Sequence, residues 1–119
     1  TSRLAADQRL PLHLTPAATR RPGTPMADTT ILDFVQTHVR ERASATAARV
    51  KRGGKYEDVT WASMWADARI VAKGLIGLGI ESDQHICLMS SSRLEWVVCD
   101  LGILASGAVT VPIYPSNLP

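Results

Sequence analysis

The clearest candidate for a binding site in this 119-residue chain is a run of three serines, Ser90 to Ser92. They follow a short apolar run, 86–89, that favours a strand, and they precede an apolar helix predicted over 93–106. Serine hydroxyls and the free N–H groups of a helix start can together hold a phosphate at such a strand-to-helix turn. The sequence therefore makes Ser90, Ser91 and Ser92 a candidate anion site.

Two observations limit this candidate site. The turn has neither the glycines of GxGxxG nor the lysine of GxxxxGK[ST], which let a backbone approach a pyrophosphate. Ser92 also stands three residues before Glu95, which is the spacing of a capping box, and helix-start serines are common without ligands. We therefore prefer helix capping by Ser92 and assign no cofactor-binding residue beyond the candidate.

The sequence offers no constellation of catalytic residues. Arg93 and Glu95 lie beside the serine turn, but charges at a helix end need no catalytic role. There is no Ser-His-Asp set, no Cys-His pair and no pair of carboxylates at a useful spacing. We predict that this chain contains no catalytic residue.

No metal site is predicted either. The histidines His13, His38 and His85 are scattered, and Cys87 and Cys99 match no metal-binding spacing. His38 is expected to be packed or half-exposed on its helix. The two cysteines are interpreted as free, buried residues that act as small hydrophobes, which is typical of a reducing cytosol.

The serines are positioned by a predicted strand–helix–strand unit. The helix 93–106 carries only three charged residues, so little of its surface can face water. Gly107 ends the helix, and the alternation of Val109, Val111 and Ile113 predicts a second strand. Two strands joined through a helix with a short return form a parallel, right-handed crossover.

Two helices and a hairpin are predicted upstream of this unit. Thr30, with an aspartate three positions on, marks the start of a helix that ends near residue 42. Gly53-Gly54 between two β-tolerant runs predicts a hairpin, because glycine accepts the positive φ of tight hairpin turns. Thr60 is predicted to cap a long helix that ends near Gly79. The fold class is therefore α/β, with a β-hairpin and helices leading into a parallel β-α-β unit.

Two features of the upstream elements invite a functional interpretation. Trp61 and Trp65, one helical turn apart, could stack on a ligand, but core anchors explain them better. The hairpin carries basic residues that could meet an anionic ligand, although a solvated hairpin rim is our preferred interpretation. This basic cluster comprises Arg49, Lys51, Arg52 and Lys55.

Charge and composition separate a leader from the rest of the chain. The formal net charge is +2, of which residues 1–25 contribute +3 and the remainder −1. The leader has prolines, no sustained period and no apolar segment of a secretory signal. No aromatic residue is interleaved with its arginines, so a nucleic-acid partner is unsupported. We predict a disordered or upstream leader at 1–25, Met26 as the natural start, and a folded part at 26–119. No transmembrane helix is predicted, because the apolar stretches are too short.

Several short pieces of the chain, in order, resemble the early part of adenylate-forming (AMP-binding) acyl-CoA synthetases, and most of all long-chain fatty acid–CoA ligases. The resemblance covers residues 29–119. The pieces that carry it are Val59-Thr60-Trp61, Gly74-Leu75, Leu78-Gly79, Ser92-Arg93-Leu94-Glu95-Trp96, Gly107-Ala108-Val109 and Val111-Pro112-Ile113-Tyr114.

The resemblance implies the start of the N-terminal subdomain of an AMP-binding enzyme fold. It implies a fatty acid as substrate, with ATP, Mg²⁺ and coenzyme A, in a cytoplasmic enzyme that allows a peripheral membrane contact. The phosphate loop ending in Pro-Lys and the other catalytic motifs of the family match no position here. We therefore expect an N-terminal fragment that is inactive alone, with Trp96 and Tyr114 as packing and register residues.

Two alternatives remain open at this point. The apolar helix 93–106 could pack on a partner in a stand-alone interaction module, or the chain could be a truncated nucleotide-binding domain of unrelated chemistry. We also expect a marginally stable or aggregation-prone chain. Leaving half of that helix's large apolar side chains exposed would forfeit on the order of 5–10 kcal/mol, which is comparable to the whole stability of a small domain.

Overall fold

The computed structural model describes residues 30–117, in which three helices accompany two two-stranded sheets. The predictions for the leader, for Met26 and for His13 lie outside the described residues. The elements in chain order are α1 (Ile31–Arg42), β1 (Thr46–Arg52), β2 (Lys55–Thr60), α2 (Trp61–Gly77), β3 (His85–Met89), α3 (Leu94–Ala105), β4 (Val109–Ile113) and a short 3₁₀ turn (Pro115–Asn117).

The first two helices begin where their threonines predict. At α1 the backbone N–H of Asp33 donates to the Thr30 hydroxyl at 3.2 Å, and the Thr30 N–H donates to the Asp33 carboxylate at 2.9 Å. This is a complete capping box, which satisfies two backbone donors that the helix itself leaves free. At α2 the Thr60 hydroxyl accepts from the N–H of Ser63 at 3.1 Å.

The predicted hairpin is confirmed. β1 and β2 pair antiparallel, and Arg52 lies opposite Lys55 at the turn. Gly53 and Gly54 between them have φ values of 54° and 82°. Residues that carry a side chain rarely adopt this left-handed backbone conformation, so the turn favours glycine at both positions.

The β-α-β unit is also confirmed. β3 and β4 pair in parallel, from His85 opposite Val109 to Met89 opposite Ile113, with α3 as the connection. Gly107 ends the helix in the left-handed region, at a φ of 85°. The two strands therefore end side by side, and the chain leaves both at the same edge of the sheet.

All three helices contribute to one hydrophobic core. Its buried members are Val35 of α1, Met64 and Ala68 of α2, and Val98 and Leu101 of α3. The aromatic rings of α2 pack against this cluster from its margin, which confirms their prediction as core anchors. These rings belong to Trp61 and Trp65.

Two predictions around α3 are wrong. Ser92 does not cap the helix, because the N-cap residue is Arg93 and no side chain caps the first turn. The capping box fails since Glu95 binds Arg93 instead of reaching back to the backbone: the two side chains meet at 2.8 Å. Both cysteines are free, but Cys87 is exposed and Cys99 is only half-buried.

The exposure of Cys87 follows from the position of the β3–β4 sheet. Along β3 the residues His85, Cys87 and Met89 are exposed, whereas Ile86 and Leu88 between them are half-buried. Because side chains alternate between faces, one face of the sheet packs on α3 and the other is uncovered by the described residues. We call the uncovered side of β3–β4 the open face. None of the described helices is long and apolar enough to cross a membrane.

Candidate functional site

A cleft of about 510 Å³ opens where β3 and β4 end. Ligands in open α/β sheets bind at the carboxyl ends of the strands, so the position fits a functional site. The predicted anion site lies here, because the residues that follow β3 form one wall of the cleft. The end of β4 and the residues directly after it form the other wall, together with two residues of α3. The lining residues are Ser90–Arg93, Trp96, Val97 and Pro112–Pro115.

The hydroxyl groups on the polar wall of the cleft are not held in a fixed arrangement that would bind an anion. The Ser90 hydroxyl donates to the carbonyl oxygen of Ser91 at 3.1 Å. Ser91 and Ser92 are exposed and make no side-chain hydrogen bond to any residue that the structure describes. Their hydroxyls therefore remain available to an incoming group.

Arg93 supplies the positive charge in this cleft, and Glu95 engages it. The hydrogen bond between them lowers the pKa of the Glu95 carboxyl and raises that of the Arg93 guanidinium. The nearby charge of Arg52 lowers the Glu95 pKa further, as a smaller effect. Both side chains of the pair are more than half exposed, so the pair itself is worth little and can open to another partner.

The apolar wall of the cleft comes from both α3 and β4. Trp96 of α3 is half-buried, whereas Tyr114, just after β4, is 66% exposed. Tyr114 is expected from the sequence to pack against other residues, and this prediction is wrong for the part of the chain that the structure describes, residues 30–117. The alternation of apolar residues predicts the strand β4. It does not indicate that Tyr114, directly after this strand, lies beside the serine turn. The cleft combines hydroxyls and an arginine on one side with rings and aliphatic groups on the other.

These residues do not fit a nucleoside triphosphate or its metal ion by themselves. A triphosphate carries several negative charges, and stabilising it requires a lysine or metal in addition to backbone N–H groups. The one arginine here is already paired with Glu95. The described residues bring together no group of three or more histidine, cysteine, aspartate or glutamate side chains that could hold a metal.

A second groove, of about 580 Å³, lies on the other side of the serine turn. We call it the β1 groove, because residues 48–52 of β1 line one side of it and residues 91–95 with Val97 line the other. The structure thus brings part of the predicted basic cluster beside the predicted anion site. Lys55 of that cluster does not line the groove.

The remaining candidate residues are not brought together. The His38 ring lies 4.6 Å from the ring of Trp61, and its Nδ1 is 3.0 Å from the carbonyl oxygen of Phe34. His38 is therefore half-buried and packed, as predicted. His85 and Cys87 lie on the open face, away from the serine turn.

A family model described as AMP-binding enzyme matches residues 35–119. This match covers the hairpin, α2, the β-α-β unit and both walls of the cleft. The chain belongs to the AMP-binding enzyme family. The resemblance inferred from its short sequence pieces is confirmed.

Two curated relatives narrow the comparison within the AMP-binding family. The long-chain-fatty-acid–CoA ligase FadD15 of Mycobacterium bovis is 44% identical over 64 residues, which is 54% of this chain and 11% of the relative. The long-chain-fatty-acid–CoA ligase ACSBG2 of Mus musculus is 32% identical over 94 residues, covering 79% of this chain and 14% of the relative. The chain thus spans little more than a tenth of the length of these relatives.

Solved structures of the family confirm the fold. The crystal structure of a fatty acid AMP ligase from Legionella pneumophila aligns with a TM-score of 0.67 at 22% identity. The alignment covers 74% of this chain and 15% of that chain. The expected α/β class, at the start of an AMP-binding domain, is therefore correct. These comparisons do not favour the two alternatives, an interaction module and a nucleotide-binding domain of unrelated chemistry.

Proposed function

We propose that this chain is part of a long-chain fatty acid–CoA ligase. The observation that carries the proposal is the 44% identity to the ligase FadD15 over 64 residues, supported by the match to ACSBG2 over 94 residues. The two relatives share the same named activity although they come from a bacterium and a mammal. The fold alone would leave the acid open, because enzymes with other acids in their names share it.

In the proposed reaction, a fatty acid carboxylate attacks the α-phosphate of ATP and forms acyl-AMP and pyrophosphate. The thiol of coenzyme A then attacks the acyl carbon, and AMP leaves. Such chemistry requires charge stabilisation at the phosphates and exclusion of water from the reactive mixed anhydride. Mg²⁺ would neutralise the phosphates, but the described residues supply no cluster of ligands for it.

We assign residues 30–117 a scaffolding role in this reaction. α3 packs on the β3–β4 sheet and α2 packs on α3, which fixes the cleft edge where the strands end. The hydroxyls of Ser90–Ser92 remain a candidate contact for an anionic group at that edge. No catalytic role is proposed for any residue of this chain. A cytoplasmic location and a peripheral membrane contact also remain part of the proposal.

The test uses the complete reading frame that encodes these residues, expressed and purified. Fatty-acid-dependent exchange of labelled pyrophosphate into ATP measures the adenylation step, and thioester formation with coenzyme A measures the second step. We expect exchange with a C16 fatty acid and little with acetate or benzoate. Exchange driven only by a short or aromatic acid would overturn the long-chain assignment, and no exchange with any acid would overturn the ligase.

The 119-residue chain serves as the matched control in the same assay. It contains the serine turn but neither a phosphate loop ending in Pro-Lys nor a metal-binding cluster among its described residues. We expect no exchange from it at any fatty acid chain length. Pyrophosphate exchange by this chain alone would show that it contains catalytic residues, which would contradict a purely scaffolding role.

A further inference from the structure

The β1 groove runs along a free strand edge. Five consecutive residues of β1, 48–52, line it, and no residue of β2 does. A groove over the face of the hairpin would be lined by alternate residues of both strands, because successive side chains point to opposite faces. Among the described residues β1 pairs only with β2, so the backbone N–H and C=O groups on its other edge face the groove.

The side chains along this edge are basic. β1 carries Arg49, Lys51 and Arg52 and no acidic residue. Arg49 binds Asp58 of β2 at 2.9 Å and Arg52 binds Glu57 at 3.4 Å, but in both pairs each side chain is more than half exposed. Exposed ion pairs of this kind are weak, so both arginines can exchange their partners for an incoming carboxylate.

Positive charge is concentrated on the hairpin. Residues 46–60 contain four basic and two acidic side chains, whereas the other described residues contain five basic and seven acidic ones. The hairpin therefore has a net charge of +2 and the rest of the described chain −2. A negatively charged partner is attracted to the hairpin and repelled elsewhere.

The wall opposite β1 offers hydrogen-bond donors. Ser91 and Ser92 line the groove, and their exposed hydroxyls make no side-chain hydrogen bond within residues 30–117. Arg93 lies on the same wall, where it pairs with Glu95 at 2.8 Å. A carboxylate that enters from solvent therefore meets cations along β1 and the hydroxyls of Ser91 and Ser92 opposite, with Glu95 as the one negative charge among the described residues of that wall.

We propose that the free edge of β1 binds an extended acidic segment of a partner polypeptide as an added β-strand. Backbone hydrogen bonds to residues 48–52 would supply most of the affinity, as in other strand-addition complexes. Acidic side chains at alternate positions would reach Arg52 and the hydroxyls of the serine turn on one face of the edge, while Arg49 and Lys51 on the other face add general electrostatic attraction. This inference is independent of the proposed ligase activity.

The basic residues have one competing explanation, which the test must exclude. Lysine and arginine on an edge strand prevent unwanted pairing between sheets, and this alone would place charge on β1. In that case the groove has no ligand, and an acidic strand gains nothing beyond general attraction to the hairpin. Side-chain position and backbone hydrogen bonding distinguish the two explanations.

The experiment titrates the purified product of the complete reading frame that encodes these residues against a fluorescein-labelled octapeptide of alternating valine and glutamate, followed by fluorescence anisotropy. The control peptides are the same sequence with lysine in place of glutamate, and the acidic peptide with alternate amides N-methylated. We expect saturable binding of the acidic peptide only, with slower amide exchange at 48–52. Absence of saturable binding, or equal binding of the N-methylated peptide, would overturn the proposal.

A matched pair of charge reversals locates the binding site. Arg52 and Lys55 are cross-strand partners, but only Arg52 lines the groove. Arg52→Glu should weaken binding about tenfold, while Lys55→Glu, with the same change of charge, should weaken it by less than about threefold. Circular dichroism of both variants checks the fold. If both variants weakened binding equally, the interaction would be general electrostatic attraction to the hairpin. That result would overturn the strand-addition site.

Discussion

Gly102 of α3 lies directly against Val71 of α2. A β-carbon placed at Gly102 would stand 2.6 Å from the Cβ of Val71 and 2.9 Å from the carbonyl oxygen of Ala68. Both distances are shorter than real β-carbon contacts, and one of the opposing atoms is backbone. The close crossing of α2 and α3 therefore depends on the absence of a side chain at this position, and this crossing supports the sheet that carries the cleft.

Gly102→Ala should destabilise the fold although it raises helix propensity. Overpacking in a well-packed core typically costs about 1–3 kcal/mol, which exceeds the helix preference of alanine over glycine of about 1 kcal/mol. The measurement is the free energy of unfolding from urea titration. Gly74→Ala is the matched control, since a β-carbon at this helical glycine meets nothing within 4 Å and should leave the fold as stable or stabilise it. An unchanged or increased stability of Gly102→Ala would contradict the close crossing.

The same substitution to alanine is predicted to have two different outcomes at the three candidate capping residues. Thr30→Ala and Thr60→Ala each remove a hydroxyl that accepts from a backbone N–H and should cost about 1 kcal/mol of stability. Ser92→Ala removes a hydroxyl that caps nothing and should cost less than about 0.5 kcal/mol. Urea denaturation of the three variants provides the comparison. If Ser92→Ala cost as much stability as the threonine substitutions, Ser92 would cap α3 in solution, as its spacing to Glu95 predicts.

The difference between these positions shows what local sequence can predict. Thr30, Thr60 and the Gly53-Gly54 turn act on neighbours within a few residues, so their roles can be read directly from spacing. Ser92 and Glu95 have the spacing of a capping box as well, but the arginine between them binds the glutamate and the helix begins one residue later. Such a choice depends on side-chain geometry that spacing does not contain.

Burial and the composition of the site depend on distant parts of the chain. The apolar neighbours of Cys87 predict a buried residue, but its exposure depends on which face of the sheet α3 covers. The serine turn is recognisable from sequence, whereas its position opposite Tyr114 follows only from the parallel pairing of β3 and β4. The proximity of β1 to the same turn requires the packing of the whole chain and has no local signal.

Asp33 should make the stability of α1 depend on pH. Hydrogen bonds from the backbone and hydroxyl of Thr30 lower the pKa of the Asp33 carboxyl below its ordinary value. Because the pKa is lower in the folded state, the stabilisation is fully present above the unfolded pKa of about 4 and is lost as the pH falls through the folded pKa. The stability difference between the unmodified chain and Asp33→Asn should therefore shrink as the pH falls below about 4 and through the folded pKa of Asp33.

The control for this titration is Asp67→Asn on α2. Asp67 is exposed and its side chain makes no hydrogen bond within the part of the chain that the structure describes. Measured at the same pH values, Asp67→Asn shows what this substitution does to stability at a helical aspartate outside any capping box. If the stability difference for Asp33→Asn stayed constant across that range, the hydrogen bonds from Thr30 to the Asp33 carboxylate would be absent in solution.

The open face should make the isolated 119-residue chain associate. Met89 is 51% exposed and Val109 38% exposed on this side of the sheet, and parallel sheets are ordinarily covered on both faces. We expect binding of the dye ANS and a concentration-dependent elution volume in size-exclusion chromatography. Met89→Lys should reduce both effects. A monomeric, cooperatively unfolding chain that does not bind ANS would contradict the expectation of marginal stability.

The two cysteines report which face of the β3–β4 sheet is open. Cys87 is exposed on β3, whereas Cys99 is half-buried in α3, so a thiol reagent should modify Cys87 about tenfold faster. Reaction of the Cys87→Ser and Cys99→Ser variants with DTNB assigns the two phases, since each variant retains one thiol. Equal rates in the folded chain would mean that the sheet is covered on both faces or that α3 opens freely. In the complete reading frame, protection of Cys87 with an unchanged rate at Cys99 would show that another segment covers the open face.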